Sequence, residues 1–282
     1  MVKGLKVLAG KGEVNASPMR DSTMLWIEAD IIELTQRLDR DGYLWIRHFL
    51  PEKGVLQARA FLLQALGQAD GPSSEKRKQI GLISKQHLAL SAPVLAVLES
   101  PLLFDTMGQL MGTQVVTPAY KWLRAVGDHE FTGLHIDRVF MGRSARMLTA
   151  WIPLGNIPID QGPVLVCQAS HRSRAFERLR STYGQSSVGK DGTLSGWLTD
   201  DGASLQHLVN PYSLDWRTAD MQAGDVVILH PDVMHMSAAN VSGSIRLSCD
   251  TRWQPALDPR DPCFRVWHNV DGVEQKGERE RM

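Results

Sequence analysis

The stretch Phe131-Thr132-Gly133-Leu134-His135-Ile136-Asp137 is an apolar run that a histidine and an aspartate interrupt two residues apart. On a β-strand this spacing puts both side chains on the same face, because successive residues point to opposite sides. An imidazole and a carboxylate directed at one point are two of the three protein ligands of a divalent-metal site that keeps positions open. His-x-Asp also occurs in solvated turns and buried polar pairs, so a metal site requires a third ligand elsewhere.

The candidates for that third ligand lie about one hundred residues farther along. A strand-like run, Gly224-Asp225-Val226-Val227-Ile228-Leu229-His230, leads into Pro231-Asp232-Val233-Met234-His235-Met236-Ser237. Either His230 or His235 could complete the site. His230 precedes a proline and is equally suited to end a strand or to support a ligand from behind.

A predicted strand from residue 244 onward carries Arg246, eleven residues after His235. Polar and apolar residues alternate along it, with Ser244, Arg246 and Ser248 on one face and Ile245, Leu247 and Cys249 on the other. This alternation predicts that the polar face looks into a wet cavity and the apolar face packs on helices. An arginine inside a barrel requires an anion.

Composition narrows the class of protein. Lys plus Arg and Asp plus Glu both number 31 in 282 residues, so no basic excess predicts a nucleic-acid partner. The charged N-terminus is untypical of a signal peptide, and we expect no membrane span. Three cysteines without Cys-x-x-Cys spacing, Cys167, Cys249 and Cys263, fit a reducing compartment. We therefore expect a soluble, cytoplasmic protein.

The chain reads as one domain over residues 1–282, mainly β with a helical N-terminal layer. Helical periodicity dominates before Gly112, and short strands separated by turn residues follow, which indicates a sandwich or barrel. Residues 1–22 are predicted to be a loose arm and residues 271–282 a frayed tail. The polar stretch 172–218 is predicted to be an insertion that serves as a lid.

These residues together resemble the phytanoyl-CoA dioxygenase family of iron(II)- and 2-oxoglutarate-dependent oxygenases. The resemblance rests on His-x-Asp, on Gly224–His230 with the following Pro231, and on His235-x-Ser237 with Arg246 eleven residues after the histidine. It extends from the strand Gly42-Tyr43-Leu44-Trp45-Ile46 to Arg252 and includes Gln161-Gly162-Pro163-Val164-Leu165. Where many relatives read Pro-Gly-Ser-His, this chain has Gln168-Ala169-Ser170-His171, a departure in the turn that leaves the ligands intact.

The resemblance implies a double-stranded β-helix, a jelly-roll, cupin-like barrel with its site at the open end. His135, Asp137 and His235 would bind the iron, with His235 preferred to His230 for its spacing to Arg246. Arg246 would bind the distal carboxylate of 2-oxoglutarate with help from Ser237. Trp151 and Trp122 would form walls of the co-substrate pocket.

The implied reaction consumes 2-oxoglutarate and O2, releases succinate and CO2, and most simply hydroxylates a small organic metabolite. In related halogenases a small residue replaces the carboxylate ligand, so Asp137 favours hydroxylation. Desaturation, cyclisation and endoperoxidation stay open, because substrate placement decides among them. A non-catalytic jelly-roll binding protein is the alternative of another class, and a zinc hydrolase is disfavoured because Arg246 would have no partner.

A group of basic residues near the segment Phe131–Asp137, hereafter the metal stretch, allows two interpretations. Either they form a mouth that attracts an anionic or lipid-like substrate, or they are solvated rim residues of the barrel. Trp197, in the predicted lid, could likewise meet substrate or decorate a loop. The basic residues are Lys121, Arg124, Arg138, Arg143 and Arg146.

Overall fold

The computed structural model describes residues 4–67, 81–83, 85–141, 144, 146–186, 196–272 and 275–276. Its helices are α1 Thr23–Ile27, α2 Ile31–Asp41, α3 Glu52–Ala65, α4 Gln86–Ala89, α5 Ala92–Leu98, α6 Pro101–Met111 and α7 Glu177–Ser181. Its strands before the middle of the chain are β1 Leu5–Ala9, β2 Gly12–Pro18, β3 Tyr43–Ile46, β4 Gly81–Leu82, β5 Val115–Pro118 and β6 Trp122–Val126. The later strands are β7 Leu148–Pro153, β8 Val164–Cys167, β9 Trp216–Thr218, β10 Val226–Leu229, β11 His235–Ser237, β12 Arg246–Pro255, β13 Val266–His268 and β14 Gln275–Lys276.

Helix α2 shows how local sequence defines the N-terminal layer. The Asp30 side chain accepts a hydrogen bond from the Glu33 backbone N–H and caps the first turn. The helix ends at Gly42, whose φ of 84° lies in the left-handed region that only glycine adopts at little cost. Gly42 therefore ends the helix and leads directly into β3.

The helices cover the outer face of the larger sheet. Buried residues of α2, α3, α5 and α6 share one hydrophobic cluster with Ala150, Ile152, Ile228 and Leu247 of the strands. The segment Ala92–Met111 is apolar and long enough to cross a membrane, with 44% of its window buried. The segment consists of α5 and α6, whose inner residues belong to this core, so it is weak evidence for a membrane span.

Two sheets face each other and form a jelly-roll barrel. The larger has the strand order β14-β13-β5-β12-β7-β10-β3, with β6 and β4 attached to β12, and the smaller has the order β1-β2-β9-β8-β11. Trp151 and Val227 from the larger sheet pack against Val164 and Val166 from the smaller one. The predicted architecture, a mainly β double-stranded β-helix with flanking helices, is confirmed.

Strand β12 lies at the centre of the larger sheet. It pairs antiparallel with β7 on one side and with β6 and β5 on the other. Leu247 and Cys249 lie in the core beneath the helices, whereas Arg246 and Arg252 on the opposite face are buried at 1% exposure each. The predicted alternation of a polar inner face and an apolar outer face is therefore observed.

The prediction of a loose arm at residues 1–22 is wrong over the part that the structure describes. Strands β1 and β2 form an antiparallel hairpin, and β2 continues the smaller sheet by pairing parallel to β9. Val7, Val14 and Ala16 are buried in the cluster on the outer side of that sheet. Alternation was present in this segment, but it was too short to distinguish from a polar arm.

The predicted lid and tail are ordered where the structure describes them. Residues 172–186 and 196–218 contain 3₁₀ turns, α7 and β9, and they bury Phe176, Leu205 and Trp216 against the smaller sheet. Residues 187–195 of the lid lie outside the described part. In the predicted frayed tail, 271–282, Gln275–Lys276 pair with β13. Residues 273–274 and 277–282 of this tail lie outside the described residues.

Candidate metal centre

His135 is held by a two-bond bridge to the strand that carries the candidate third ligand. Its backbone N–H donates to the carbonyl of His235 at 2.9 Å, and the N–H of His235 donates back at 3.0 Å. Asp137 begins a 3₁₀ turn, Asp137–Val139. The prediction of a regular strand through the pair is thus wrong, but Ile136 between them is extended, with φ −119° and ψ 147°. This residue keeps both side chains on the same side.

His135, Asp137 and His235 converge. Their potential ligand atoms all lie within 4.8 Å of one another. The Nε2 atom of His135 is 3.7 Å from one carboxylate oxygen of Asp137, and that of His235 is 3.8 Å from the other. The three residues are 3%, 0% and 6% exposed, in that order. Two imidazoles and one carboxylate on one side of a point are a donor set that binds a divalent iron and keeps positions open.

Both imidazoles are oriented by backbone carbonyls. The Nδ1 atom of His135 lies 2.7 Å from the carbonyl oxygen of Gly133, and that of His235 lies 3.0 Å from the carbonyl oxygen of Val233. A carbonyl only accepts, so each Nδ1 carries the proton and each Nε2 keeps its lone pair for a metal. Burial, followed by the charge of His235, lowers the pKa of His135 well below its ordinary value, which keeps this ligand neutral.

The carboxylate of Asp137 is held at both oxygens. The Thr149 hydroxyl donates to Oδ2 at 2.6 Å, and the Arg252 guanidinium donates to Oδ1 at 2.6 Å. Burial by itself would raise the pKa of Asp137, but the Arg252 charge, the two imidazoles and the Thr149 hydrogen bond together lower it below the usual range. The Asp137 side chain is therefore an anionic carboxylate.

Thr149 and Arg252 are site residues that our reading of the sequence missed. They face each other in the register of β7 and β12, and each lies an even number of residues from an inward-facing position, Trp151 or Arg246. Strict period-two counting along both strands would have placed them on the inner face. Their contact with Asp137 had no signal in the sequence, because it joins segments 12 and 115 residues apart.

Arg246 is buried, and none of the described residues forms an ion pair with it. One of its N–H groups donates to the carbonyl of Gly162, but its Nε has no hydrogen-bond partner among the described residues, and neither has the hydroxyl of Ser248 two residues on. Burial, followed by the neighbouring Arg124 charge, lowers the pKa of Arg246 to about 9. Orphaned buried donors of this kind fit a dianion such as 2-oxoglutarate.

The other predicted pocket residues line the same interior. The Ser237 hydroxyl accepts a hydrogen bond from the Thr132 N–H at 2.7 Å, which leaves its own proton to donate. Trp151 is 5% exposed and projects from the same face of β7 as Thr149. Trp122 is 7% exposed, and the guanidinium of Arg252 stacks over its ring at 4.1 Å. The role of each toward a co-substrate stays a prediction.

His230 does not join the cluster. Its ring stacks on His171 with centroids 4.6 Å apart, and its Nδ1 accepts from the Asp232 N–H at 3.2 Å. Of the two candidates for the third ligand, the structure brings only His235 to His135 and Asp137.

The basic residues of the predicted mouth are engaged elsewhere. Lys121 is fully buried against Glu99, Arg124 pairs with Asp250, Arg138 with Asp232, and Arg146 with Asp258. Arg143 lies outside the described residues. Since each described cation has a carboxylate partner, the interpretation of this group as an anion-attracting mouth loses its support.

One segment of the predicted lid lies directly on the metal stretch. Leu134 donates to the carbonyl of Thr199 at 2.8 Å and accepts from Leu198 at 2.7 Å. The ring of Trp197 covers Gly133 so closely that a Cβ at that position would lie 2.5 Å from it. Gly133 therefore contacts the Trp197 ring, and its carbonyl orients His135 of the candidate metal centre.

Comparison with known proteins agrees with this geometry. A family model described as phytanoyl-CoA dioxygenase matches residues 38–248, about three quarters of the chain. The chain belongs to the phytanoyl-CoA dioxygenase family. The match includes the three clustered residues and Arg246.

Two curated proteins are similar to part of this family member. One is 1-deoxypentalenic acid 11-beta-hydroxylase of Streptomyces exfoliatus, 33% identical over 136 residues that make up 46% of this chain and 43% of the relative. Its counterpart from Streptomyces arenae is 30% identical over the same length and shares. The aligned region thus spans less than half of the curated relatives it matches.

Solved structures show the same fold at low sequence identity. The carbocyclase SnoK from nogalamycin biosynthesis, described as non-heme and alpha-ketoglutarate dependent, has a TM-score of 0.61 and 21% identity, covering 87% of this chain and 93% of SnoK. The epimerase SnoN, determined with Fe3+, alpha-ketoglutarate and nogalamycin RO, has a TM-score of 0.58 and 19% identity, covering 83% and 87%. EctD from S. alaskensis, with 2-oxoglutarate and 5-hydroxyectoine, has a TM-score of 0.53 and 17% identity, covering 92% and 84%.

Proposed function

We propose that this family member is an iron(II)- and 2-oxoglutarate-dependent dioxygenase that hydroxylates a small organic metabolite. The observation that carries the proposal is the buried cluster of two imidazole nitrogens and one carboxylate within 4.8 Å, in the same interior as Arg246, whose buried Nε has no hydrogen-bond partner among the described residues. A binding protein has no need of an open metal position, and a zinc hydrolase would have no use for Arg246.

His135, Asp137 and His235 would hold the iron, and Arg246 with Ser237 would hold the distal carboxylate of 2-oxoglutarate. Bound iron(II), with 2-oxoglutarate and O2, supplies an oxidant that removes hydrogen from a C–H bond while succinate and CO2 are released. The orphaned donors of Arg246 and Ser248 would gain their acceptors when the dianion binds, so the co-substrate completes the hydrogen bonding of this interior.

The protein groups hold the reactants and keep water out. The carbonyls of Gly133 and Val233 fix the two imidazole planes, so that both lone pairs face a common centre before any metal arrives. Trp151 and Trp122 would wall the co-substrate, and their burial keeps its carboxylate in a low-dielectric environment where the Arg246 charge acts strongly. Asp137 occupies the third ligand position and leaves no room there for a halide.

Outcomes other than hydroxylation use the same centre. Two structural neighbours are a carbocyclase, SnoK, and an epimerase, SnoN, so cyclisation is the second candidate for this chain. The substrate we propose is a small molecule, and a cytoplasmic location stays a prediction from the cysteine pattern.

A spectroscopic experiment tests the proposal. Under anaerobic conditions, iron(II) plus 2-oxoglutarate should give the weak visible charge-transfer band of a chelated keto acid. Arg246→Ala should weaken co-substrate binding about 100-fold, since a charged hydrogen bond of about 3 kcal/mol is lost. Arg146→Ala, which removes a surface pair with Asp258, is the matched control. A folded wild-type protein that gives no band would exclude the proposed function.

Turnover separates the enzyme from a binding protein with the same barrel. Slow conversion of 2-oxoglutarate to succinate without substrate, abolished by Asp137→Ala, is expected of the oxygenase and not of the binding protein. A screen of metabolites for faster succinate release would then find the substrate. The product mass separates the outcomes: one added oxygen means hydroxylation, and two lost hydrogens mean desaturation or ring closure.

A further inference from the structure

Arg252 is a charged side chain in contact with a metal ligand, and the proposed reaction gives it no role. It projects from β12 into the barrel and is 1% exposed. Its Nη2 donates to Oδ1 of Asp137 at 2.6 Å. A full positive charge so close to a divalent-cation site opposes the metal, so its presence requires a reason.

The contact is one half of a clamp. Arg252 and Thr149 are register partners on β12 and β7, and each donates to a different oxygen of Asp137. With one lone pair of each oxygen engaged, the carboxylate cannot rotate freely. Each oxygen still faces one of the two imidazole Nε2 atoms, at 3.7 and 3.8 Å.

The guanidinium is itself held in place, yet it is not satisfied. It stacks over Trp122 at 4.1 Å, and its Nη1 lies 3.7 Å from Asp250, whose carboxylate already pairs with Arg124 at 3.0 Å. The Nε and Nη1 atoms of Arg252 have no hydrogen-bond partner among the described residues. Two guanidinium nitrogens of Arg252 are therefore buried in the interior without an acceptor among the described residues, as is the Nε of Arg246.

We propose that Arg252 is a positioning residue with two effects on the centre. It fixes Asp137 as an oriented ligand, and its charge, with its two unused donors, favours a dianionic co-substrate at the metal. This inference rests on the proposed function. An arginine with a purely structural role would support the binding of the cation and of the dianion alike. The charge of Arg252 instead weakens binding of the metal cation alone and strengthens binding of the dianionic co-substrate.

Thr149 offers the matched comparison, because its hydroxyl orients the same carboxylate without a charge. Thr149→Val should weaken binding of Co2+ alone by about tenfold, the lower end of what loss of a group behind a metal ligand causes. It should leave the affinity of the cobalt protein for 2-oxoglutarate within about twofold, since no charge changes. Arg146→Gln removes an exposed cation that pairs with Asp258 and controls for the loss of charge at a distance.

The experiment measures two dissociation constants on full-length protein, for Co2+ alone and for 2-oxoglutarate on the cobalt form, with the visible cobalt spectrum as a report on ligand geometry. Arg252→Met should bind Co2+ at least as tightly as Thr149→Val does and should bind 2-oxoglutarate at least tenfold more weakly than wild type. Arg252→Lys, which keeps the charge, should recover most of the 2-oxoglutarate affinity but not the wild-type spectrum.

Two outcomes would overturn the inference. Equal proportional losses of Co2+ and 2-oxoglutarate affinity in Arg252→Met would make the residue a structural one, and wild-type constants for both would make the contact irrelevant. If Arg252→Met does not fold, Arg252→Lys decides: an unchanged spectrum, or no recovery of co-substrate affinity, contradicts the proposal. Failure of the proposed function is distinct, because wild-type cobalt protein would then bind no 2-oxoglutarate.

Discussion

At the scale of single residues, the clearest consequence of burial outside the metal centre is the stacked pair His171 and His230. Their ring centroids are 4.6 Å apart. Burial, and then the charge of His171, lower the pKa of His230 to about 4, and burial also lowers the pKa of His171. The Nε2–H of His171 donates to the carbonyl of Asp39 at 2.8 Å, so this ring is neutral and anchored in the folded protein.

This pair predicts a loss of stability in mild acid. Both rings are neutral in the folded state, whereas in the unfolded chain they bind protons below about pH 6.5. The unfolded state therefore binds more protons as the pH falls from about 6.5 toward 4, and the free energy of unfolding decreases over that window. Urea unfolding at pH 7.5 and pH 5 measures the change.

His230→Asn should reduce this pH dependence, because asparagine does not titrate and its amide oxygen can still accept from the Asp232 N–H. The control is His129→Asn, which removes an exposed histidine whose side chain is 77% accessible. A pH dependence that is the same in wild type, His230→Asn and His129→Asn would contradict the assignment.

The candidate metal ligands show, at this scale, which part of the site can be predicted from the sequence. His135 and Asp137 were predictable from their spacing, and Arg246 from the polar face of its strand. The hydrogen bonds of Thr149 and Arg252 to Asp137 were not, because they depend on the register of β7 against β12, which no local pattern defines. The ion pairs of the basic residues could not be predicted either, because each joins residues that are distant in the sequence.

At the scale of elements, the segment 196–200 and the metal stretch form one unit through Gly133. Gly133→Ala would put a Cβ 2.5 Å from the ring of Trp197, so the ring must shift. We expect a loss of about 1–3 kcal/mol in the free energy of unfolding, the usual cost of overpacking. Weaker Co2+ binding should accompany it, because the Gly133 carbonyl orients His135.

A second substitution tests whether the ring is the cause. In Gly133→Ala/Trp197→Ala the clash is absent, so the effects of the two changes should not add, and the double-mutant cycle should give a coupling of at least about 1 kcal/mol. Gly54→Ala, in α3 with no atom within 4 Å of the added Cβ, controls for the backbone effect. Additive free energies would show that Trp197 does not restrict this position.

A buried ion pair, Lys121 with Glu99, connects the C-terminal end of α5 to strands near the edge of the larger sheet. Lys121 donates to Glu99 at 2.7 Å, to Thr117 at 2.9 Å and to the carbonyl of Pro118 at 2.6 Å. Glu99 also contacts His268 of β13 at 2.9 Å. Burial lowers the pKa of Lys121, and the Glu99 charge opposes that effect.

Glu99→Gln should destabilise the protein by roughly 3–5 kcal/mol, because it leaves a buried ammonium without its counter-charge. Glu99→Gln/Lys121→Met should recover much of this loss, since the unpaired charge is then gone. Urea unfolding measures both, and Co2+ affinity should stay at the wild-type value. A double variant less stable than Glu99→Gln would be inconsistent with a charge-pair origin.

The elements were predictable where they were long and periodic. Helices α2 and α3 and strand β10 can be predicted from the spacing of their apolar residues and from the glycine or proline residues at their ends. The two faces of β12 can be predicted from its alternation of polar and apolar residues. The N-terminal hairpin was missed because β1 and β2 are half exposed and gain their stability from pairing with β9. The metal stretch looked like a strand, but only a bridge at His135 precedes the turn that carries Asp137.

At the scale of the whole molecule, the three ligands connect both sheets. His235 belongs to β11 of the smaller sheet and is bridged to the stretch that contains His135. Asp137 is bonded to Thr149 and Arg252 on two strands of the larger sheet. A metal held by all three residues thus links the two sides of the barrel across its interior, and the metal-free protein must hold an anionic carboxylate there by hydrogen bonds alone.

Metal binding should therefore stabilise the entire fold. At a free Co2+ concentration one hundred times the dissociation constant, binding to the folded state alone contributes about 2.7 kcal/mol, which corresponds to a rise of roughly 5 °C in Tm for a chain of this size. Differential scanning calorimetry with Co2+ and with chelator measures the shift. His235→Ala should abolish it, and Mg2+, which such a nitrogen-rich site binds poorly, should give little. An equal rise in wild type and His235→Ala would mean that the cation stabilises the protein from another site, and the cluster would then be a polar core pair rather than a metal centre.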